Sequence, residues 1–244
     1  MQADLKTISA MGGYGLTAIT CVVAEVPGKV SAIQPVDTSL VKEQIRLSFD
    51  AFPVAAVKTG MLYSREIIET VCDSLEGRKI ALVVDPVMVA TSGDSLLRND
   101  AIALYRERLL PMATIMTPNL DEIIALTDKP VADLDAMREA ARELANEFGC
   151  AVLAKGGHLR QATAIDYLIE GSAVSEFSAP FVEGVSTHGT GCTYSAAIAT
   201  GLAKSLPLRT AAAEAKAFVT RAISKFLCWS TAAGEVHALH HFAP

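Results

Sequence analysis

The sequence predicts an α/β fold with a mostly parallel central sheet, helices on both faces and an antiparallel edge. Short apolar, β-branched runs at Leu16–Val23, Ala55–Lys58, Ile80–Val84, Thr114–Thr117 and Ala151–Ala154 are bounded by Gly, Pro or Asp, the pattern of strands buried on both faces. Helical patterns lie between them, and strand–helix alternation of this kind joins parallel strands by crossovers. The clearest helix takes Asp133 as N-cap, carries apolar residues at Leu134, Met137, Ala141, Leu144 and Phe148, and stops at Gly149. After Lys155 the pattern changes: Ala164–Ile169 and Val174–Phe177 flank Glu170-Gly171-Ser172, which reads as a hairpin and supplies the antiparallel edge. Two helices, Thr190–Ser205 and Leu208–Trp229, are expected to close the chain, the second as core or subunit contact.

Size and composition narrow the function. A chain of 244 residues, 51% hydrophobic and 20% charged, fits one domain spanning residues 1–244, with no repeat or low-complexity linker. The net charge of −6, from 21 basic and 27 acidic residues, and the lack of a basic patch exclude nucleic acid as the expected partner. No apolar run approaches the ~20 residues of a membrane helix. Charges at Asp4 and Lys6 interrupt what would be the core of a signal peptide, and five scattered cysteines suit a reducing compartment, so the cytoplasm is expected.

In open α/β sheets ligands bind beyond the carboxyl ends of the strands. Four such places carry unusual chemistry: Asp85-Pro86-Val87-Met88, Thr117-Pro118-Asn119-Leu120-Asp121-Glu122, Lys155-Gly156-Gly157-His158 and Thr187-His188-Gly189-Thr190-Gly191-Cys192. In the last, Gly189-Thr190-Gly191 precedes a run of small helix formers, which leaves bare N–H groups at a helix start and makes an anion hole, unless the segment is only a Gly-rich connector. Neither the GxxxxGK[ST] nor the GxGxxG nucleotide fingerprint is present. Cys192 falls in the first turn of that helix, where the positive dipole end is expected to lower a thiol pKa from about 8.5 toward neutrality and make it a base; the bland alternative is a small buried hydrophobe. Asp85 and Glu122 either hold Mg2+ or serve as a turn cap and a solvated helix residue. Lys155 either neutralises phosphate or is simply exposed.

Together and in this order these segments resemble the hydroxymethylpyrimidine/phosphomethylpyrimidine kinases of thiamine biosynthesis, members of the ribokinase-like superfamily. The resemblance begins at Gln2-Ala3-Asp4-Leu5-Lys6-Thr7, continues through Tyr14-Gly15, Val57-Lys58-Thr59-Gly60-Met61-Leu62 and Val84–Asp94, then Thr117-Pro118-Asn119, Lys155–Leu159 and Thr187–Cys192, and ends at His240-His241-Phe242. It implies transfer of the γ-phosphate of ATP to 4-amino-5-hydroxymethyl-2-methylpyrimidine and then to its monophosphate, with Mg2+ as cofactor. By the resemblance, Cys192 is the base, and Gly189, Thr190 and Gly191 form the anion hole. Asn119, Glu122 and Asp85 organise Mg2+, Lys155, Thr187 and Lys216 contact the nucleotide, and Asp4, Val23, Glu25 and Met61 contact the pyrimidine. A homodimer is implied by the family alone.

The sequence departs from the family pattern twice. The strand and Gly-rich turn that usually precede Gln-Ala-Asp are missing before Met1, so the family's usual first strand is expected to be absent. Where the family has glutamine this chain has Glu25, and an ionised carboxylate accepts hydrogen bonds but cannot donate one. Three rival readings stand beside the first: a pyridoxine or pyridoxal kinase, a non-catalytic pyrimidine- or nucleotide-binding relative, and an NAD-dependent oxidoreductase, which lacks its fingerprint.

Overall fold

The structure is a computed structural model that describes residues 1–26, 28–88, 97, 99–159, 162–185, 188–232 and 234–243. The chain opens with helix α1 (Gln2–Ala10) and an antiparallel ribbon of β1 (Cys21–Val26) and β2 (Lys29–Pro35). It then alternates through α2 (Thr38–Ala51), β3 (Ala56–Thr59), α3 (Arg65–Leu75), β4 (Ala81–Val84), α4 (Asn99–Leu104), β5 (Ile115–Met116), α5 (Leu120–Thr127), α6 (Leu134–Phe148) and β6 (Ala151–Lys155). The hairpin β7 (Thr163–Glu170) and β8 (Ala173–Pro180) follows, then α7 (Thr190–Ala203), α8 (Leu208–Ser224) and a second hairpin, β9 (Leu227–Thr231) with β10 (Gly234–Ala238).

The central sheet has the order β3-β4-β5-β6-β7-β8, parallel from β3 to β6 and antiparallel beyond. Alternation along each strand divides the core into two layers. Leu82, Val84, Met116, Val152 and Ala154 pack against α2 to α6, whereas Val83, Ile115, Ala151 and Leu153 pack against α7 and α8. α6 follows the sequence expectation: Asp133 accepts a hydrogen bond from the Ala136 amide at 2.8 Å, and Gly149 ends the helix with φ 66°. The predicted hairpin is present as β7 and β8, with Gly171 at φ 58° in its turn.

Three expectations are corrected. Leu16–Val23 is not a strand of the central sheet: only Cys21 onward is extended in a ladder, and its partner is β2. The backbone of Ile19 is satisfied by a side chain instead, its N–H donating to Gln44 Oε1 at 2.9 Å and its carbonyl accepting from Gln44 Nε2 at 3.1 Å. β3 is half-buried at the sheet edge rather than buried on both faces. The last helix ends at Ser224, not Trp229, because Leu227–Thr231 pairs with β10, and Trp229 stands exposed on that hairpin. No described helix is long and apolar enough to cross a membrane.

α7 and α8 approach closely because Gly201 has no side chain: a Cβ there would lie 2.8 Å from the Ala211 Cβ and 3.2 Å from its Cα. Gly201→Val is therefore expected to cost about 1–3 kcal/mol by overpacking. Asp133→Ala, which removes only a cap, is expected to cost about 1 kcal/mol. Urea midpoints at constant m-value check both, and a neutral Gly201→Val would contradict the close approach.

Candidate active site

The carboxyl ends of the parallel strands bring charged residues into one cleft. Lys58 comes from β3, Asp85 follows β4, Asn119 and Glu122 open α5, Lys155 ends β6 and Gly189–Cys192 open α7, while α1 contributes Asp4. All of these, together with Val23, Glu25, Met61 and Lys216, line a single cleft of about 2440 Å³. Thr187 lies outside the described residues, as does the segment 89–94 of the resemblance.

Asp85 is 2% exposed and is held on both carboxylate oxygens. Lys155 Nζ and Thr117 Oγ1 each donate to Oδ1 at 3.1 Å, and Ser195 Oγ donates to Oδ2 at 3.2 Å. Burial alone would push this carboxyl up, but the nearby Lys155 and Lys58 ammonium groups hold it below its ordinary value. Lys155 is the counterpart: burial works against its charge, yet Asp85 and Glu122 keep its pKa raised. Lys155 is thus a largely buried, paired cation, not an exposed one.

Glu122 is buried as well, and it is not a solvated helix residue. It forms a capping box with Asn119, Asn119 N donating to Glu122 Oε2 at 2.7 Å and Glu122 N donating to Asn119 Oδ1 at 2.9 Å. Burial drives the Glu122 carboxyl up to about 7; Lys155 opposes the shift and the charge of Asp85 adds to it.

α7 starts at Gly189, with φ 86° and no side-chain cap. The first amides of such a helix have no intrahelical acceptor. Gly191 lies close to the ion pair: a Cβ there would sit 3.3 Å from Lys155 Nζ, a tight contact, and 3.8 Å from Asp85 Oδ2, an ordinary one. Cys192 lies beside Lys58, whose Nζ donates to Asp4 Oδ1 at 2.9 Å. The expectation of a thiol tuned toward neutrality by the helix dipole is overturned. Lys58 does pull the Cys192 thiol down, but burial and the carboxylates of Asp85 and Asp4 outweigh it and leave the thiol above its ordinary value.

Lys216 is paired within the lining of the cleft. Its Nζ donates to Asp166 Oδ2 at 2.6 Å and to the Ala164 carbonyl at 3.0 Å. Asp166 also accepts from Tyr194 OH at 3.0 Å and from the Gly156 amide at 3.0 Å, which pins the turn after Lys155. At the mouth of the cleft Glu25 of β1, next to a register shift in the ribbon, comes within 4.0 Å of His188 Nε2.

Sequence reasoning assigned no role to Lys58, Thr117, Ser195 or Asp166. Lys58 had a readable signal, because like Lys155 it is a cation at the end of an apolar run. Ser195 lies three residues after Cys192 and so shares its helix face. Asp166 is an acid inside the apolar run Ala164–Ile169, and a buried charge demands a partner.

Residues 1–237 match the phosphomethylpyrimidine kinase family. The hydroxymethylpyrimidine/phosphomethylpyrimidine kinase of Rhizobium meliloti is 43% identical over 99% of this chain and 92% of its own length. The thiamine biosynthesis bifunctional protein ThiED of Geobacter sulfurreducens is 44% identical over 91% of this chain, which spans 46% of that longer protein. Among solved structures, the ADP complex of Bacillus subtilis pyridoxal kinase superposes with a TM-score of 0.89 at 33% identity, covering 99% of this chain and 91% of that one. The phosphomethylpyrimidine kinase of Clostridium difficile gives a TM-score of 0.79 at 36% identity, covering 91% and 92%. The ribokinase-like α/β fold, the full-length similarity and the charged cleft at the strand ends agree: the chain belongs to the phosphomethylpyrimidine kinase family.

Proposed function

We propose that the protein transfers the γ-phosphoryl group of ATP to the hydroxymethyl oxygen of 4-amino-5-hydroxymethyl-2-methylpyrimidine, and then a second phosphoryl group to the resulting monophosphate, in thiamine biosynthesis. The observation that carries this reading is the meeting of Cys192, Lys58, Lys155 and Asp85 at the uncapped start of α7. In the first transfer the substrate oxygen bonds to the γ-phosphorus as the bond to the β–γ bridging oxygen breaks and ADP leaves. Cys192, as thiolate, accepts the hydroxyl proton, and the Lys58 ammonium stabilises that thiolate. Lys155 and the amides of Gly191 and its neighbours receive the charge on the migrating group, positioned before the reaction begins. In the second transfer the acceptor is a phosphate oxygen already ionised at neutral pH, so no base is required there.

Asp85 and Glu122 suit Mg2+, a cation that prefers oxygen donors: Asp85's charge already raises the Glu122 pKa, and a divalent cation relieves that repulsion. Asn119 would complete the set, and the ion would neutralise phosphate oxygens. Lys216, which lines the cleft, would contact the nucleotide while its pairing holds Asp166 against the Gly156 amide. Asp4, Val23, Glu25 and Met61 form the end of the cleft that takes the pyrimidine. The same reading places the protein in the cytoplasm as a homodimer, which sedimentation equilibrium reads directly. A second reading, pyridoxal phosphorylation, is favoured by the TM-score of 0.89 to a pyridoxal kinase. Side-by-side kcat/KM values for the two heterocycles decide between them.

Cys192→Ser is expected to lower kcat of the first transfer by ~10²–10⁴ while leaving the KM for ATP and the second transfer much less affected. Wild-type kcat for the first transfer should climb as pH rises above 7, because the thiol pKa is raised. An undiminished kcat in the variant removes Cys192 from the mechanism. For Glu25→Gln, pyrimidine KM at neutral pH should change, because an amide donates where an ionised carboxylate only accepts. An unchanged KM would show that Glu25 does not touch the ring. Glu122 gives a stability test in metal-free buffer. Its folded-state pKa of about 7 exceeds the ordinary 4.5, so the native protein holds a proton that the unfolded chain releases, and stability falls as pH rises through that window. Relative to wild type, Glu122→Gln should gain about 2–3 kcal/mol between pH 4.5 and 8, and a pH-independent difference would contradict the buried carboxyl.

A further inference from the structure

We infer that the β9–β10 hairpin carries a transition-metal site, held by Cys228, Glu235 and His237 and suited to an ion of the Zn2+ class. Cys228 and His237 stand directly opposite one another in the antiparallel register, and Glu235 lies two residues before His237 on the same face. The donor atoms of all three lie within 4.8 Å of one another, and His237 Nε2 is already 3.6 Å from Glu235 Oε2. Tetrahedral coordination at ordinary zinc–ligand distances separates donors by about 3.3–3.6 Å, so closing the set requires only a small rotation of the exposed Cys228 and Glu235 side chains.

The donors are chemically matched to that ion. A thiolate, an imidazole and a carboxylate are the three protein ligand types of zinc, whereas the all-oxygen preference of Mg2+ disfavours sulfur. The imidazole is oriented before any ion arrives: the Phe226 ring packs edge-on against His237 with centroids 4.8 Å apart and an interplanar angle of 62°. Its side chain is only 10% exposed, while Cys228 and Glu235 open to solvent and give the ion an entry path and a water in the fourth position.

The site answers a structural need. β9 is exposed along its whole length, and an isolated two-stranded hairpin is marginal in water. A bridge from Cys228 to the opposite strand fixes the register that burial does not. None of the three residues lines the phosphoryl-transfer cleft, so the site is separate from catalysis.

Titration of the reduced full-length protein with Co2+ in excess Mg2+ tests the site. Wild type should bind one equivalent with the thiolate-to-cobalt charge-transfer absorption and intense visible bands of tetrahedral coordination, both displaced by one equivalent of Zn2+. Cys228→Ser should abolish the charge-transfer band, and His237→Gln and Glu235→Gln should each weaken binding at least tenfold, with kinase activity retained as the check on folding. A band of full intensity in Cys228→Ser, which keeps the cleft thiol Cys192, would place the metal elsewhere and overturn the proposal. Absence of any Co2+ spectrum in wild type would also overturn it.

Discussion

A buried ion pair between two strands that are not neighbours organises this protein. Asp85 follows β4, Lys155 ends β6, and they meet at 3.1 Å across the end of β5. Neither charge is tolerable there alone, because an unpaired buried ion costs several kcal/mol. Thr117, at the end of β5, and Ser195, from α7, complete the coordination of Asp85. One carboxylate therefore ties together the ends of three strands and the helix that lies over them.

The protonation states of the cleft follow from that arrangement. Glu122 is pushed up because it is buried within reach of Asp85, and Lys155 softens the effect. Cys192 feels Lys58 from one side and Asp85 and Asp4 from the other, with burial tilting the balance toward the thiol. Neutralising Asp85 would remove one of the groups that hold the proton on sulfur, so the charge on Asp85 and the protonation of Cys192 are physically coupled.

α7 links this chemistry to the stability of the fold. Gly191 in its first turn lies beside Lys155 and Asp85, and Gly201 in its last turn has no side chain to hold α8 away. One helix thus borders the charged cleft at one end and the α7–α8 packing at the other. Asp166 makes a similar link deeper in the sheet, where it joins Lys216 and Tyr194 from the two helices to the Gly156 backbone beside Lys155.

Much of this was legible in the residues themselves. Hydrophobic periodicity located α6 and its Asp133 cap, and turn chemistry located the β7–β8 hairpin, because both depend on neighbours within a few positions. The motifs at the strand ends identified Asp85, Lys155, Glu122 and Cys192 as residues of one cleft. Contacts distant in sequence were not legible. Leu16–Val23 reads as a strand, yet Gln44 of α2 occupies the backbone of Ile19; nothing in the residues around Lys216 announces its pairing with Asp166. Local pattern thus determined the elements and the residue types at their ends. Tertiary structure alone decided which charges were buried together, and hence the direction of each pKa, because desolvation and Coulomb interaction depend on distances the chain sets only when folded.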